Sequence, residues 1–420
     1  MENRTYPALS EQVIWEKLDN GLTVAIVPKP GFDRRVAYFV TDYGAIHTKF
    51  TVGGKEQDSP AGVAHYLEHK LFDMPGRDIT AEFATLGAVP NAFTSYDMTA
   101  YYFSCTEHFT ENLRLLLEFV TTSYFTEESV QKEQGIIGQE IDMNEDAPDT
   151  RIFENLMEAM YREHPIRIPI LGTRDTIARI TPEVLRQCHE AFYNPANMLL
   201  CVVGDADPEE VCAIAREMTA GLPCPKVERQ SVWQEDMTCP KTDVTAQMEV
   251  AMPMFQLGFK CEPPDRGEAA VRMEAVGDLA AEALFGESSA LYLQLYEEGL
   301  IDSSFGGGFE TVDGMALLTC SGDSDDPQAV KNAILSRAEV LVREGIGTEA
   351  FLRMKRSALG RRIRDLDSFD STAFRVCAYY FSGFDYFRFP EVYRMVQEQE
   401  ILDFIQTVVT PERCCLSVIH

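Results

Sequence analysis

The chain has 420 residues, 45% hydrophobic and 25% charged, which is the balance of a globular protein and not of a disordered or fibrous one. That length suits two domains of roughly 200 residues each. A net charge of −30 excludes nucleic acid as a partner, since a phosphate backbone would be repelled, and no apolar run is long enough to span a membrane.

The N-terminus, Met1-Glu-Asn-Arg-Thr5, shows no basic region followed by an apolar one, so a cytoplasmic location is the expectation. Leu22–Val27 and Arg35–Val40 are β-branched and aromatic runs of strand length. Helical patterns follow over Ala61–Phe72, Thr80–Leu86, His108–Ser123 and Glu127–Ala147; in the third, Phe109, Leu113, Leu116 and Val120 make an apolar stripe. Met98–Ser104 and Met198–Val203 return to strand character. This mixed order predicts an α+β architecture with helices layered on a largely antiparallel sheet.

Between Gly221 and Val244 the composition changes, with Pro223, Pro225 and Pro240 spaced through polar residues that carry no period. The expected division is therefore residues 1–222, a linker at 223–243, and residues 244–420. The second part restarts with strand-like Met248–Met252 and Gln256–Lys260 and a long helix over Glu268–Phe285. Setting Leu284-Phe285 against Leu71-Phe72 places Asp278 opposite His65 and Ala281 opposite Glu68, so the halves read as a diverged repeat whose second copy lacks the chemistry of the first. Gly306-Gly307-Gly308 reads as a flexible loop between strands, because no nucleotide motif is completed around it. The eleven cysteines, odd in number and without a Cys-x-x-Cys pair, read as reduced thiols.

The chemistry concentrates in His65-Tyr66-Leu67-Glu68-His69. Residues four apart lie on one helix face, so His65 and His69 can offer imidazole nitrogens to one zinc ion. Glu68 projects from nearly the same face, within reach of a water at the metal, and is placed to act as general base. The competing reading is an amphipathic helix with hydrogen-bonded histidines, and a third protein ligand would discriminate. Glu133 and Glu140, seven apart on one face of the next long helix, are candidates for a residue that supports the ligands and for the third ligand; a solvated acidic face fits that spacing equally well.

Together with Leu86–Ser95, Thr99–Tyr102 and Lys132–Ile141, this run resembles the pitrilysin/insulinase family of zinc metallopeptidases over essentially the whole chain, in the short form that includes mitochondrial processing peptidase. The resemblance implies two homologous α+β domains, the second without a site. It implies Zn2+ as cofactor, Glu140 as third ligand with His65 and His69, and Glu133 as the glutamate that orients the site. It also implies an edge strand at Asn91-Ala92-Phe93-Thr94 against which a peptide substrate pairs.

One departure is informative. Where the family carries an Arg and a Tyr that reach over the substrate, this chain has Tyr296 and, near the second place, Asp302. The resemblance is strongest to the zinc-bearing member of Gram-positive bacterial pairs, with Lys70 directly after the motif, so a related two-domain subunit is expected to supply the Arg/Tyr pair and close a chamber. The sequence-level expectation is a zinc endopeptidase acting on peptides or unfolded segments. The alternatives are a non-catalytic accessory subunit of a maturation pathway, against which Glu68 speaks, and a zinc hydrolase of non-peptide amides.

Overall fold

The computed structural model describes residues 1–420. The first half contributes β1 (Glu2–Tyr6), β2 (Glu11–Lys17), β3 (Thr23–Pro28), β4 (Arg35–Thr41), β5 (Lys49–Val52), β6 (Lys55–Asp58), β7 (Ala88–Thr94), β8 (Thr99–Cys105) and β9 (Met198–Gly204). Seven of these form one sheet in the order β1-β2-β3-β9-β4-β8-β7, antiparallel except for the parallel pair β3–β9. Strand β9 is buried at every position, which is why its sequence is a continuous apolar run with no alternation. The helices of this half include α1 (Val63–Leu71), α2 (Ile79–Thr85), α3 (Phe109–Thr121), α4 (Glu127–Glu145), α5 (Pro148–Met160) and α6 (Pro182–Phe192).

The stretch read as a linker carries a short strand, β10 (Val227–Arg229), which pairs antiparallel with β5 beside β6. The second half adds β11 (Asp243–Ala246), β12 (Met254–Cys261), β13 (Gly306–Val312), β14 (Met315–Asp323) and β15 (Cys414–Ile419), in the order β11-β15-β12-β14-β13. Its helices include α7 (Glu268–Phe285), α8 (Ala290–Glu297), α9 (Pro327–Glu344), α10 (Thr348–Arg364), α11 (Phe369–Phe381) and α12 (Glu398–Val408).

The two sheets share a plan. The run β3-β9-β4-β8-β7 repeats as β11-β15-β12-β14-β13, with the parallel pair in the same place. Helix α7 falls between β12 and β13 as α1 falls between β4 and β7, and three helices follow each hairpin, α3–α5 after β8 and α9–α11 after β14. The third of each set crosses over. Helix α5 packs on β15 and β12, where Leu156 and Met160 sit against Gly258, while α11 returns to pack on β9 and β4 of the first sheet. Alternate residues of the first sheet therefore face two cores, one built around α1 and α3, the other shared with α11 and the second half.

Two expectations are corrected. Met248–Met252 is not a strand: pairing with β15 is taken by Asp243–Ala246, whose Ala246 lies opposite Ile419, and the chain is irregular from there to Pro253. Gly306–Gly308 is not a loop but the start of β13, and a Cβ at Gly307 would lie 2.3 Å from the Phe285 ring, so glycine there permits close packing of α7 on the sheet.

Candidate metal centre

Helix α1 begins abruptly. Its N-cap, Gly62, has φ of 95°, and a Cβ there would stand 2.4 Å from the Leu171 carbonyl oxygen, so only glycine serves. Beyond it, Tyr66 donates its hydroxyl proton to the Val130 carbonyl on α4. Lys70, buried, extends its ammonium to Asp73 and to the Ser129 carbonyl 3.4 Å away. These contacts fix the register of α1 against α4, whose own start is held by reciprocal Thr126 and Ser129 capping bonds.

Across that seam the predicted residues meet. His65 Nε2 lies 3.7 Å from one oxygen of Glu140, and His69 Nε2 lies 3.7 Å from the other. All three ligand atoms fall within 4.8 Å of one another. Ligand atoms bound tetrahedrally at zinc distances of about 2.0–2.1 Å sit roughly 3.3 Å apart, so this donor set of two imidazoles and a carboxylate fits zinc once the side chains draw together around it. Glu133 Oε1 is 3.0 Å from His69 Nδ1, which leaves Nε2 directed at Glu140. His65 Nδ1 is buried without a partner.

Electrostatics matches the donor set. Burial, helped by repulsion from His69, pushes the His65 pKa down to about 3, so its imidazole is neutral and its nitrogen lone pair is available. Burial also disfavours the His69 cation, but the hydrogen bond to Glu133 and the charges of Glu133, Glu140 and Glu68 outweigh it and raise its pKa. Glu68 is raised above the usual carboxylate range by burial, against the opposing pull of a 2.6 Å hydrogen bond from the Thr94 hydroxyl.

Thr94 was not singled out by sequence reasoning, yet it ties the end of β7 to Glu68. Strand β7 is the outermost strand of its sheet, with a free edge. Asn91 is exposed, Ala92 is half-buried toward α1, and Phe93 is half-buried on the opposite face. In the second half, α7 carries Asp278 and Ala281 at the aligned positions, and Asp278 accepts from the Tyr393 hydroxyl at 3.0 Å and lies 3.5 Å from Arg362. An ion-paired cluster replaces the donor set there. Tyr296 stands exposed on α8, stacked on Tyr292 at 5.9 Å.

Residues 50–174 match the family described as Insulinase (Peptidase family M16), and residues 179–358 match the Peptidase M16 inactive domain. The uncharacterized zinc protease YmfH of Bacillus subtilis (strain 168) is 37% identical over 416 residues, covering 97% of this chain and 96% of that protein. A second protein of that bacterium, the uncharacterized zinc protease YmxG, is 35% identical over 159 residues, 36% of this chain and 39% of that one. An M16-like peptidase from Alicyclobacillus acidocaldarius superposes with a TM-score of 0.93 at 31% identity, covering 97% of this chain and 98% of its own. The fold alone is shared with the periplasmic protease PqqL of Escherichia coli, TM-score 0.75 at 20% identity over 97% of this chain and 47% of that one. With matches over both halves and a relative of such identity along nearly its full length, this chain belongs to the insulinase family of peptidases, family M16.

Proposed function

We propose that the protein is a zinc-dependent endopeptidase that hydrolyses peptides or unfolded segments, with His65, His69 and Glu140 as metal ligands and Glu68 as general base. The observation that carries this reading is the convergence of three ligand atoms within 4.8 Å, beside a buried glutamate and a free strand edge. Bound by His65 Nε2, His69 Nε2 and Glu140, zinc would supply a Lewis acid that polarises the scissile carbonyl and acidifies water. Glu68, held by the Thr94 hydroxyl, takes a proton from the attacking water and returns it to the leaving amine. Glu133 orients His69 through Nδ1. The substrate backbone adds as a strand along Asn91, Ala92 and Phe93, so affinity comes mainly from main-chain hydrogen bonds.

Tyr296 and Asp302 offer no cation where the Arg/Tyr pair is expected, which supports a partner: a related two-domain subunit that contributes the pair and closes a chamber around the cleft. The test is zinc content of the wild type beside His65→Ala and Glu140→Gln, with peptide hydrolysis measured before and after adding a two-domain M16 chain that lacks the zinc motif. One zinc per wild-type chain, its loss from both variants, and hydrolysis only in the mixture are expected. Equal zinc in all three would overturn the ligand assignment, and full activity of the chain alone would overturn the partner.

A further inference from the structure

The free strand β7 presents two faces, and only one of them looks toward the metal ligands. Ala92 packs toward α1 and Thr94 bonds Glu68 on that side, whereas Phe93 turns into the core shared with α11. There its ring lies 5.7 Å from Phe374 and 6.3 Å from Tyr102, centroid to centroid. Phe374 comes from the second half of the chain. Its helix neighbours Ala373, Val376 and Cys377 are buried against the first sheet, yet Phe374 is 39% exposed, leaving apolar surface uncovered beside an unpaired strand.

We propose that Phe374 is a specificity-determining residue: with Phe93 it forms an aromatic wall on the face of β7 away from the metal ligands, selecting substrates with a bulky apolar side chain opposite Phe93. This rests on the peptidase reading above. A strand added to β7 lies about 4.8 Å away, and its residue opposite Phe93 points to the same face with Cβ atoms roughly 4.5–5.5 Å apart. That side chain is within reach of both rings, while its neighbours along the strand point toward α1. Because Thr94, the next residue of β7, holds Glu68, the selected side chain falls within a residue or two of the scissile bond.

The test uses the full zinc-loaded chain carrying Glu68→Gln, so that peptides bind without being cut, and fluorescein-labelled peptides in which one Phe is walked through an Ala-Ser background. One position of the walk is expected to bind about ten-fold tighter than the background. Phe374→Ala should abolish that gain and leave background affinity unchanged, and Phe374→Asp should transfer the preference at that position to Lys. If the gain survives in both variants, or if Phe374→Ala lowers only thermal stability, Phe374 is packing and the proposal is wrong. If no peptide binds the Glu68→Gln chain, alone or mixed with a two-domain M16 chain that lacks the zinc motif, the peptidase reading fails first and takes the proposal with it.

Discussion

Glu68 and Glu133 both lie beside the proposed metal ligands, and each is held by one neighbour. Thr94 donates to Glu68, so Thr94→Val should leave zinc content unchanged and lower kcat about ten-fold with little effect on KM, since positioning of a general base is a part of its 10²–10⁴-fold worth. A proportional rise in KM would instead mean that Thr94 serves the strand edge. Glu133→Gln removes the charge on His69 Nδ1 while keeping a hydrogen-bonding side chain, and zinc affinity should fall roughly 10–100-fold, read by competition with a chelator. Unchanged affinity would reduce Glu133 to a surface carboxylate.

At the scale of elements, the crossing helices α5 and α11 decide how the halves hold together. Leu156 on α5 is fully buried against the second sheet, near Gly258, and Leu156→Ala should cost about 2–5 kcal/mol, seen as a lower urea midpoint with an unchanged slope. A loss under half a kcal/mol would place α5 outside the core. What the sequence made legible was local. Glu268–Phe285 was predicted at its observed bounds, and the His65–Glu68–His69 face followed from helical periodicity alone. The long-range partners were hidden: periodicity says that a helix has an apolar face but not which sheet it meets, so the exchange of α5 and α11 left no trace. The same blindness missed β10, whose three residues become a strand only because β5 lies beside them, and Phe374, which is an ordinary helical aromatic until Phe93 is placed against it. Glu140 and Glu133 were visible as a spacing, but resemblance was needed to choose them over a solvated face.

For the whole molecule, buried neutral histidines contribute to the response to acid. His189 is buried and bonds the Val120 carbonyl at 2.9 Å, and burial pushes its pKa down to about 4. An unfolded histidine titrates near 6.5, so the unfolded chain binds the proton more tightly; this contribution is complete above pH 6.5 and is lost as the pH falls toward 4. It amounts to on the order of 3 kcal/mol, and burial depresses His47 and His164 in the same direction. Urea midpoints should therefore drop between pH 6.5 and 4, and His189→Gln should flatten that decline; an identical slope in the variant would refute the assignment. Because each sheet is covered by a helix from the other half, calorimetry should record one unfolding transition. Residues 1–222 expressed alone should bind a hydrophobic dye, and two separate transitions would show that the halves fold independently.

The exchanged helices also impose a timetable on synthesis. When Gly204 leaves the ribosome, the first sheet has all its strands, but the helix that covers one of its faces does not begin until Phe369. At about 5–20 residues per second, those intervening residues take on the order of ten to thirty seconds, during which Tyr38, Val40 and Cys201 are unprotected. The nascent chain therefore carries an open apolar sheet face for a large part of its translation, and a chaperone that binds such faces is expected to associate with it until α11 emerges.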